Sequence, residues 1–268
     1  MSRRVRARVE PSDAALTFGD DAWSTSYEVS PTKVWMLLED LAAISEWAVI
    51  EFHPTGIAGR ALDESHVSMG RAAISEESIE SAGAHCEVGV NVGAVDEFDA
   101  GFFTSGRRVG IELDRDAETM TLENGSMAVQ TADLKPVNQT RSQDWIDIEF
   151  GTTARMKGWE FGGAVEGACG ATDRGFVLEA DLNDLNVASR GTPWATTIED
   201  VVTETAFDTA GFGSWFWPEI TERIQTENDI EVRFGEEKPI VVQIEDRVEY
   251  AVAPRIIPDD EENGGDSA

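Results

Sequence analysis

The sequence predicts an α+β protein made of two similar domains. Short segments such as VGIELD (109–114) and DIEVRF (229–234) alternate apolar and polar residues, which is typical of strands with one buried and one solvated face. The order of predicted elements also repeats once along the chain. We therefore expect two antiparallel sheets, one in each half, with two helices covering the buried face of each sheet.

The first half begins with a predicted strand at 23–29 and a helix at 31–44, where Pro31 follows Ser30 as a proline at the first helical position behind a serine cap. Further strands are expected between 48 and 92. The remaining elements of this half are a helix at 94–103 and strands at 108–114, 118–123 and 126–131.

The second half repeats this order. It has a predicted strand WIDIEF (145–150), a helix at 153–168, strands between 175 and 207, a helix at 214–224, and strands at 229–234, 239–245 and 247–253. Aligning the first helices of the two halves places Lys33 and Trp35 over Lys157 and Trp159, at an offset of 124 residues. A period of this size exceeds that of solenoid repeats and indicates a duplicated domain.

Composition predicts the boundaries of these domains. Residues 1–21 are polar, with alternating Arg3, Arg4, Arg6 and Arg8, and form a flexible basic extension, while 258–268 form an acidic disordered tail. The polar stretch 132–143 contains a proline and is interpreted as the linker. The two domains then span 22–131 and 144–257.

The charge of the chain is strongly negative. It has 52 acidic and 21 basic residues, a net charge of -31, and only four lysines: Lys33, Lys135, Lys157 and Lys238. A binder of cationic partners and a protein adapted to molar salt would both show an acidic excess. Because the acid is spread through every segment and lysine is scarce, the sequence favours salt adaptation.

The two cysteines, Cys86 and Cys169, predict neither a disulfide framework nor a metal site of CxxC spacing. No apolar run approaches the ~18 residues that span a bilayer, and the N-terminus lacks the apolar stretch of a secretion signal. We expect a protein of a salt-rich cytoplasm that does not bind membranes, encoded by either a cell or a virus.

Three segments resemble the DNA sliding clamps of archaea and eukaryotes, the proliferating cell nuclear antigen (PCNA) family. They are RALDESHVSM (60–69), VGVNVGAVDEF (88–98) and FGEEKPIVVQIEDRVEYAVAPRI (234–256). The resemblance covers about residues 22–257. It implies two domains per chain and a homotrimeric ring around duplex DNA, with helices lining the hole and sheets outside. The strand near Thr119–Glu123 would pair with one near Ala195–Thr203 of the next chain.

The resemblance also implies a hydrophobic pocket on the outer surface, where short peptides of polymerases, nucleases and ligases insert. Leu134 would be its lid on the linker. By position the pocket residues are Leu62, His66, Val67, Leu134, Pro239, Val252, Ala253 and Pro254. His66 is then a docking residue, whereas outside this motif it would be an ordinary histidine of a surface loop. The sequence offers it no catalytic partner at a recognisable spacing.

Basic residues of the inner helices would contact phosphates without reading bases. The candidates are Lys33, Arg155, Lys157 and Arg223, with Arg107 and Arg108 after the second helix. That second helix, AVDEFDAGFF (94–103), has three acidic residues and no basic one, which predicts weak DNA affinity. A closed ring is nevertheless held on DNA by topology, whereas counterion-driven binding collapses as salt rises.

The leading hypothesis is therefore a non-enzymatic processivity factor, placed on DNA by a clamp loader and without cofactor or metal. Two alternatives stay open: a divergent subunit of a heteromeric clamp, and a salt-adapted carboxylate-dependent nuclease or hydrolase. The glycines of GGAVEGACG (162–170) do not follow a strand and lack the GKS or GKT of a phosphate loop, and His85 with Cys86 provides two metal ligands at most. Of Trp215 and Trp217, we expect one in the core and one outside it.

Overall fold

The computed structural model of the protein describes residues 23–97, 102–103, 108–125, 129–225 and 229–255. The chain divides into two compact units. The first comprises residues 1–146 and 246–250, and the second comprises 147–245 and 251–268. In the described ranges, no helix is long and apolar enough to cross a membrane.

The first unit is an antiparallel sheet with one long helix. Its elements are β1 (Ser24–Val29), α1 (Pro31–Ala42), β2 (Trp47–His53), β3 (Gly56–Leu62), β4 (Ser68–Ser75), β5 (Ile79–Ser81), β6 (Cys86–Asn91), β7 (Val109–Asp114), β8 (Thr119–Glu123) and β9 (Val129–Lys135), with 3-10 turns at Glu76–Ser78, Val92–Glu97 and Val137–Gln139. The strand order is β4-β3-β2-β6-β9-β8-β7-β1-β5.

Helix α1 packs its apolar face on this sheet. Val34, Leu37, Leu38 and Leu41 are at most 4% exposed, and their spacing of three and four residues places them on one face of a helix. Leu41 lies so close to Gly59 of β3 that a Cβ there would be 2.3 Å from its Cδ1 atom. The helix begins at Pro31 as predicted, but the Ser30 side chain makes no capping hydrogen bond.

The second unit has two helices and two groups of strands. Its elements are β10 (Thr152–Met156), α2 (Gly158–Ala171), β11 (Phe176–Asp181), β12 (Asp184–Ser189), β13 (Ala195–Ile198), β14 (Val202–Glu204), β15 (Thr209–Phe212), α3 (Trp217–Gln225), β16 (Ile230–Phe234), β17 (Ile240–Ile244) and β18 (Val248–Val252), of which β18 belongs to this unit from Ala251. The strand orders are β14-β10-β16-β17 and β13-β12-β11-β15.

An aromatic cluster fills the core of the second unit. The Trp217 ring meets those of Phe161 and Phe176 edge-on, with centroids 6.2 and 5.1 Å apart. Trp217 is 1% exposed and Trp215 is 69% exposed. The prediction that the two tryptophans separate between core and surface is confirmed, with Trp215 just before the first residue of α3.

The repeated order of elements is also confirmed. Each unit runs strand, helix, five strands, helical segment and three strands. The predicted offset of 124 residues is less accurate, because α1 begins at Pro31 and α2 at Gly158, which is 127 residues later. The sequence therefore predicted the α+β class and the duplication correctly, but it aligned the two helices about one turn out of register.

One predicted element was wrong, and another began later than predicted. The stretch WIDIEF (145–150) forms no strand. Instead β10 pairs with β16 from Thr152↔Phe234 to Met156↔Ile230, burying Thr152, Ala154 and Met156 in alternation. The helix expected from 153 therefore begins only at Gly158. The physical reason is that residues 152–156, whose alternate side chains are buried, find a partner strand in β16, which residues 145–150 lack.

The helix expected at 94–103 also differs. A 3-10 segment covers Val92–Glu97, residues 98–101 lie outside the described part, and Phe102 and Phe103 are helical and buried. The Phe103 ring packs on Trp35 of α1 at a centroid distance of 4.8 Å. The expected strand at 126–131 is observed as β9, which extends to Lys135 and so includes the first four residues of the expected linker.

Candidate peptide-docking loop, edge strands and cationic residues

The loop between β3 and β4 is built around one buried carboxylate. Asp63 is 7% exposed. Its Oδ2 accepts a hydrogen bond from the Ser65 amide at 2.7 Å, and its Oδ1 accepts from the amides of Val67 at 2.7 Å and Ser68 at 2.5 Å. A short acidic side chain that bonds amides a few residues later is the usual way to fix a tight turn.

This loop presents the two residues singled out from the sequence. His66 has a φ of 60°, a left-handed conformation uncommon outside glycine, and its amide donates to the Asp63 carbonyl at 3.1 Å. His66 is exposed and Val67 half-buried, while Leu62 is 4% exposed. Loop geometry thus brings His66 and Val67 to the surface beside the buried end of β3.

Leu134 does not occupy the expected linker position. It lies in β9, opposite Val90 of β6, and is 3% exposed. The expectation of a lid on the linker is therefore corrected for this residue, because a strand position with a buried side chain is not available to cover a peptide. The next residue also packs against the first unit, since the Lys135 ammonium lies 3.6 Å from the centre of the Trp47 ring of β2.

A residue that the sequence did not single out, Trp145, lies further along this segment. The Arg71 guanidinium lies 4.4 Å from the centre of its ring and also pairs with Glu249, which is 3% exposed. Stacking of this kind holds an aromatic ring in place on a surface. The sequence signal was a tryptophan next to polar residues, but the alternation in 145–150 predicted a strand there.

The other pocket candidates lie in the second unit. Pro239 is half-buried just before β17, where Lys238 donates its amide to the Gly235 carbonyl at 3.1 Å. Val252 ends β18 and is 1% exposed, and Ala253 and Pro254 are half-buried after it. The Arg255 amide donates to the Gly211 carbonyl at 2.8 Å, which fixes the exit of this segment.

The strand expected at an edge of the first unit is an inner strand. β8 (Thr119–Glu123) pairs along its length with both β7 and β9, so its backbone groups are already used. The neighbouring β9 does have an open stretch, because it pairs with β6 only at Leu134 and Lys135, and Val129 is 58% exposed. The partner strand expected in the second unit does lie at an edge, because β13 is the end of its four-stranded sheet.

A groove runs beside β13 in the second unit. It has a volume of about 610 Å³ and is lined by Trp159, Glu160, Gly163, Ala164 and Trp194 with residues 196–200. Trp194 lies against Gly167 of α2, where a Cβ would be 2.4 Å from its Cζ2 atom. Trp159 is 61% exposed. An exposed indole beside an open strand edge is typical of a surface that binds another protein.

Carboxylates accompany three of the residues predicted to face DNA. Arg155 lies on β10 and donates to Glu231 of β16 at 2.8 and 2.9 Å, so its predicted helical position was wrong. Lys157 precedes α2 and pairs with Asp229 at 2.7 Å, and Arg108 pairs with Glu80. Lys33 on α1 and Arg223 on α3 are half-buried helix residues, and Arg107 lies outside the described residues.

These pairs set the electrostatics of the candidate DNA contacts. Each paired carboxylate would stand beside any phosphate that approaches the same cation, which cancels much of the attraction. In the part of the chain that the structure describes, no group of three or more His, Cys, Asp or Glu side chains is arranged to hold a metal ion. Burial raises the pKa of the Cys86 thiol to about 12, so this side chain is an uncharged core residue at neutral pH.

The doubled order of elements in the two units defines the α+β fold of DNA sliding clamps. Solved structures that share it include several PCNAs. The PCNA of A. fulgidus, bound to the C-terminal region of FEN-1, has 17% identity and a TM-score of 0.72, covering 88% of this chain and 100% of the other. The PCNA of Entamoeba histolytica has 13% identity and a TM-score of 0.71, covering 87% and 99%.

The PCNA2-PCNA3 complex of Sulfolobus tokodaii has 15% identity and a TM-score of 0.66, covering 86% of this chain and 99% of the other. No protein-family model matches the sequence, and no curated protein sequence matches it. At these identities the likeness establishes the fold, and it extends over nearly the whole length of the solved clamp chains.

Proposed function

We propose that this protein is the subunit of a sliding clamp, a processivity factor that encircles duplex DNA and tethers replication and repair enzymes without catalysing a reaction itself. The observation that carries the proposal is the clamp fold over 86–88% of the chain and 99–100% of the solved clamp chains. The cysteines fit a structural role, because burial raises the pKa of Cys169 to about 11 as well as that of Cys86.

The proposed ring is a homotrimer. Every chain carries two available strand edges, one on β9 and one on β13. Copies of a single chain can therefore join head to tail. The groove of Trp159 and Trp194 beside β13 would take side chains of the neighbouring copy. The structure of a complex of two clamp chains from Sulfolobus tokodaii supports assembly between subunits, and it keeps the heteromeric alternative in view.

The proposed partners dock as short peptides of polymerase, clamp loader, nuclease and ligase. Leu62, His66 and Val67 would meet the peptide together with Pro239, Val252, Ala253 and Pro254. The A. fulgidus clamp bound to the C-terminal region of FEN-1 supports this mode of binding. A buried aromatic anchor of such a peptide contributes ~2 to 4 kcal/mol, which suits reversible exchange of partners.

Contact with DNA is proposed to be weak and independent of sequence. The candidate cations Arg155, Lys157 and Arg108 carry acidic partners, and the net charge of -31 opposes DNA in dilute buffer. At about 1 M salt the screening length is near 3 Å, so the repulsion becomes short-ranged. A ring that is closed around DNA then stays on it by topology in the salt-rich cytoplasm that we propose for this protein.

Light scattering on the purified chain in molar KCl, with negative-stain images of the same sample, tests this function. We expect the mass of three chains and particles with a central hole. A stable monomer that forms rings only with added clamp chains would establish the heteromeric alternative. A compact particle without a hole that cleaves DNA in the presence of Mg²⁺ would overturn the clamp and establish the nuclease.

A further inference from the structure

The surface around Trp215 in the second unit joins an exposed aromatic ring to several arginines. Trp215 is 69% exposed, and the Phe216 ring supports it at a centroid distance of 4.7 Å. Neither ring lies on a helix face, because α3 begins at Trp217. The indole is therefore largely open to solvent, with Phe216 packed against it.

Three loops and the segment after β18 meet at this place. The Ser214 hydroxyl donates to the Asp173 carbonyl at 3.0 Å, the Arg190 amide donates to the Gly175 carbonyl at 3.0 Å, and the Arg255 Nη1 donates to the Arg174 carbonyl at 3.0 Å. The Arg174 Nη1 lies 3.3 Å from the position of a Cβ on Gly191. We call this surface the Arg-Trp cluster: Asp173, Arg174, Arg190, Trp215 and Arg255.

The charge of the Arg-Trp cluster contrasts with that of the chain. The side chains of Arg174 and Arg255 both lie here, in a protein with 21 basic and 52 acidic residues. Within the described ranges, neither Arg174 nor Arg255 forms an ion pair, although Arg155, Lys157 and Arg108 each have a carboxylate partner. Both arginines are exposed. The cluster thus offers guanidinium groups to an external anion.

We propose that the Arg-Trp cluster binds unpaired nucleotides of a DNA strand. Trp215 stacks on a base, and Arg174 and Arg255 contact the adjoining phosphates. Stacking platforms combined with cationic groups that follow the backbone are the common means of holding single strands without reading sequence. In a duplex the bases are stacked on one another, so their faces are closed to an indole, and the same surface would hold duplex DNA less well.

An acidic peptide is a weaker candidate for the occupant. Its carboxylates would pair with the arginines but would leave the face of Trp215 without a flat partner. A nucleotide satisfies both kinds of group at once, because it carries an anion and an aromatic ring a short distance apart. The proposal goes beyond the clamp function, since single-strand binding at this surface requires neither ring closure nor the peptide pocket.

Fluorescence anisotropy with a short labelled oligo(dT) in molar KCl tests the proposal, followed by quenching of tryptophan emission. We expect the wild-type protein to bind oligo(dT) and its tryptophan emission to be quenched on binding. The Trp215→Ala variant should bind about tenfold more weakly and should lose this quenching. The substitutions Arg174→Glu and Arg255→Glu reverse the charge at both positions. They should weaken binding at every salt concentration and reduce its salt dependence. All three positions are exposed, so we expect the variants to unfold at the wild-type temperature. A thermal unfolding measurement then checks that each variant is folded.

Matched controls separate this surface from general effects. Phe207→Ala removes another aromatic ring of the same unit that is 60% exposed, and Arg115→Glu with Arg141→Glu makes the same charge change in the first unit. Both should bind oligo(dT) as the wild type does. The proposal is overturned if wild type shows no binding, if these controls lose as much affinity as the cluster variants, or if duplex DNA binds as tightly.

Tighter binding of a Glu-rich peptide, unaffected by Trp215→Ala, would also overturn the proposal and assign the surface to an acidic protein segment. A monomeric chain that still binds oligo(dT) would leave this proposal standing while the ring fails.

Discussion

The Asp63 carboxylate accepts a hydrogen bond from the Val67 amide at 2.7 Å and thereby fixes the loop that carries His66. The same carboxylate also accepts from the Ser65 and Ser68 amides. Three amides on one buried carboxylate hold the left-handed turn at His66, whose φ is 60°. The loop is thus preformed, so a bound peptide does not have to order it.

Replacing Asp63 by Ala should therefore loosen the docking loop. The variant loses three hydrogen bonds to a charged group, and we expect about 2 kcal/mol lower stability and roughly tenfold weaker binding of clamp-interacting peptides. Calorimetric titration with such a peptide and urea unfolding measure the two effects. Glu64→Ala is the control, because that side chain is 92% exposed and makes one distant ion pair at 3.6 Å. Equal peptide affinity in wild type and Asp63→Ala would show that the loop does not depend on its carboxylate.

The two halves of the proposed pocket are tested together. Val67→Glu in the first unit and Ala253→Asp in the second each place a charge where an apolar side chain of the peptide would lie. Each should weaken peptide binding by at least about tenfold without changing the mass of the assembly. Leu182→Glu, at a position that is 67% exposed in the second unit, is the control. If only one of the two variants weakened binding, the proposed pocket would not draw on both units.

Trp159 is expected to stabilise the assembly through the groove beside β13. Truncation to Ala removes an indole that is 61% exposed in the single chain, and a buried aromatic anchor is worth about 2 kcal/mol or more at an interface, or about thirtyfold in the dissociation constant. Sedimentation at a series of protein concentrations measures this change. Trp215→Ala is the matched control, with equal loss of an exposed indole at a different place. A trimer as stable as wild type would exclude the groove from the contact between copies.

Breaking the buried ion pair of the first unit should be costly. Arg247 pairs with Asp40, and the Tyr250 hydroxyl donates to the Asp40 carboxylate at 3.2 Å. Asp40 is 0% exposed and Arg247 is 8% exposed. Asp40→Ala removes the buried carboxylate that Arg247 and Tyr250 both contact, and it should cost about 3–5 kcal/mol in urea unfolding.

The double variant Asp40→Leu with Arg247→Met removes both charges at similar volume and is its control. It should recover most of the lost stability, because no unpaired charge remains buried. A double variant as unstable as Asp40→Ala would mean that packing, rather than charge, holds this contact.

Alkaline pH should destabilise the fold through Cys86. Burial raises its pKa from an ordinary 9.0 to about 12. A raised pKa gives a contribution to stability that is complete below about 9 and is lost as pH rises toward 12, since the unfolded thiol ionises first. The pKa of Tyr27 is raised as well, by burial and by the neighbouring Cys86.

Urea midpoints measured below pH 9.0 and again near the raised pKa values should fall with pH in wild type and fall less in Cys86→Ala. Cys169→Ala provides the comparison, because its pKa is raised less, to about 11. A slope identical in wild type and Cys86→Ala would show that this thiol does not contribute to the loss of stability at high pH.

The sequence predicted the repeated order of elements because alternation in strands and the positions of prolines are local signals. It misplaced the start of α2 because Arg155, Met156 and Lys157 are good helix formers, whereas pairing with β16 decides their conformation. Leu134 was assigned to a linker because the polar residues around it hid the end of a strand, where Leu134 pairs with Val90 of β6, 44 positions earlier. The ion pairs of Arg155, Lys157 and Arg108 were equally out of reach, since they join residues up to 76 positions apart.

The burial of Asp40 and Arg247 also decides how this protein responds to its ionic environment. Mobile ions cannot come close to a pair with almost no water-accessible surface, so dissolved salt weakens that contact far less than it weakens exposed ion pairs. We therefore expect a gain in thermal resistance on adding KCl to arise mainly among the exposed carboxylates, whose mutual repulsion the salt screens. The chain thus contains an ionic anchor that holds in fresh water and in brine.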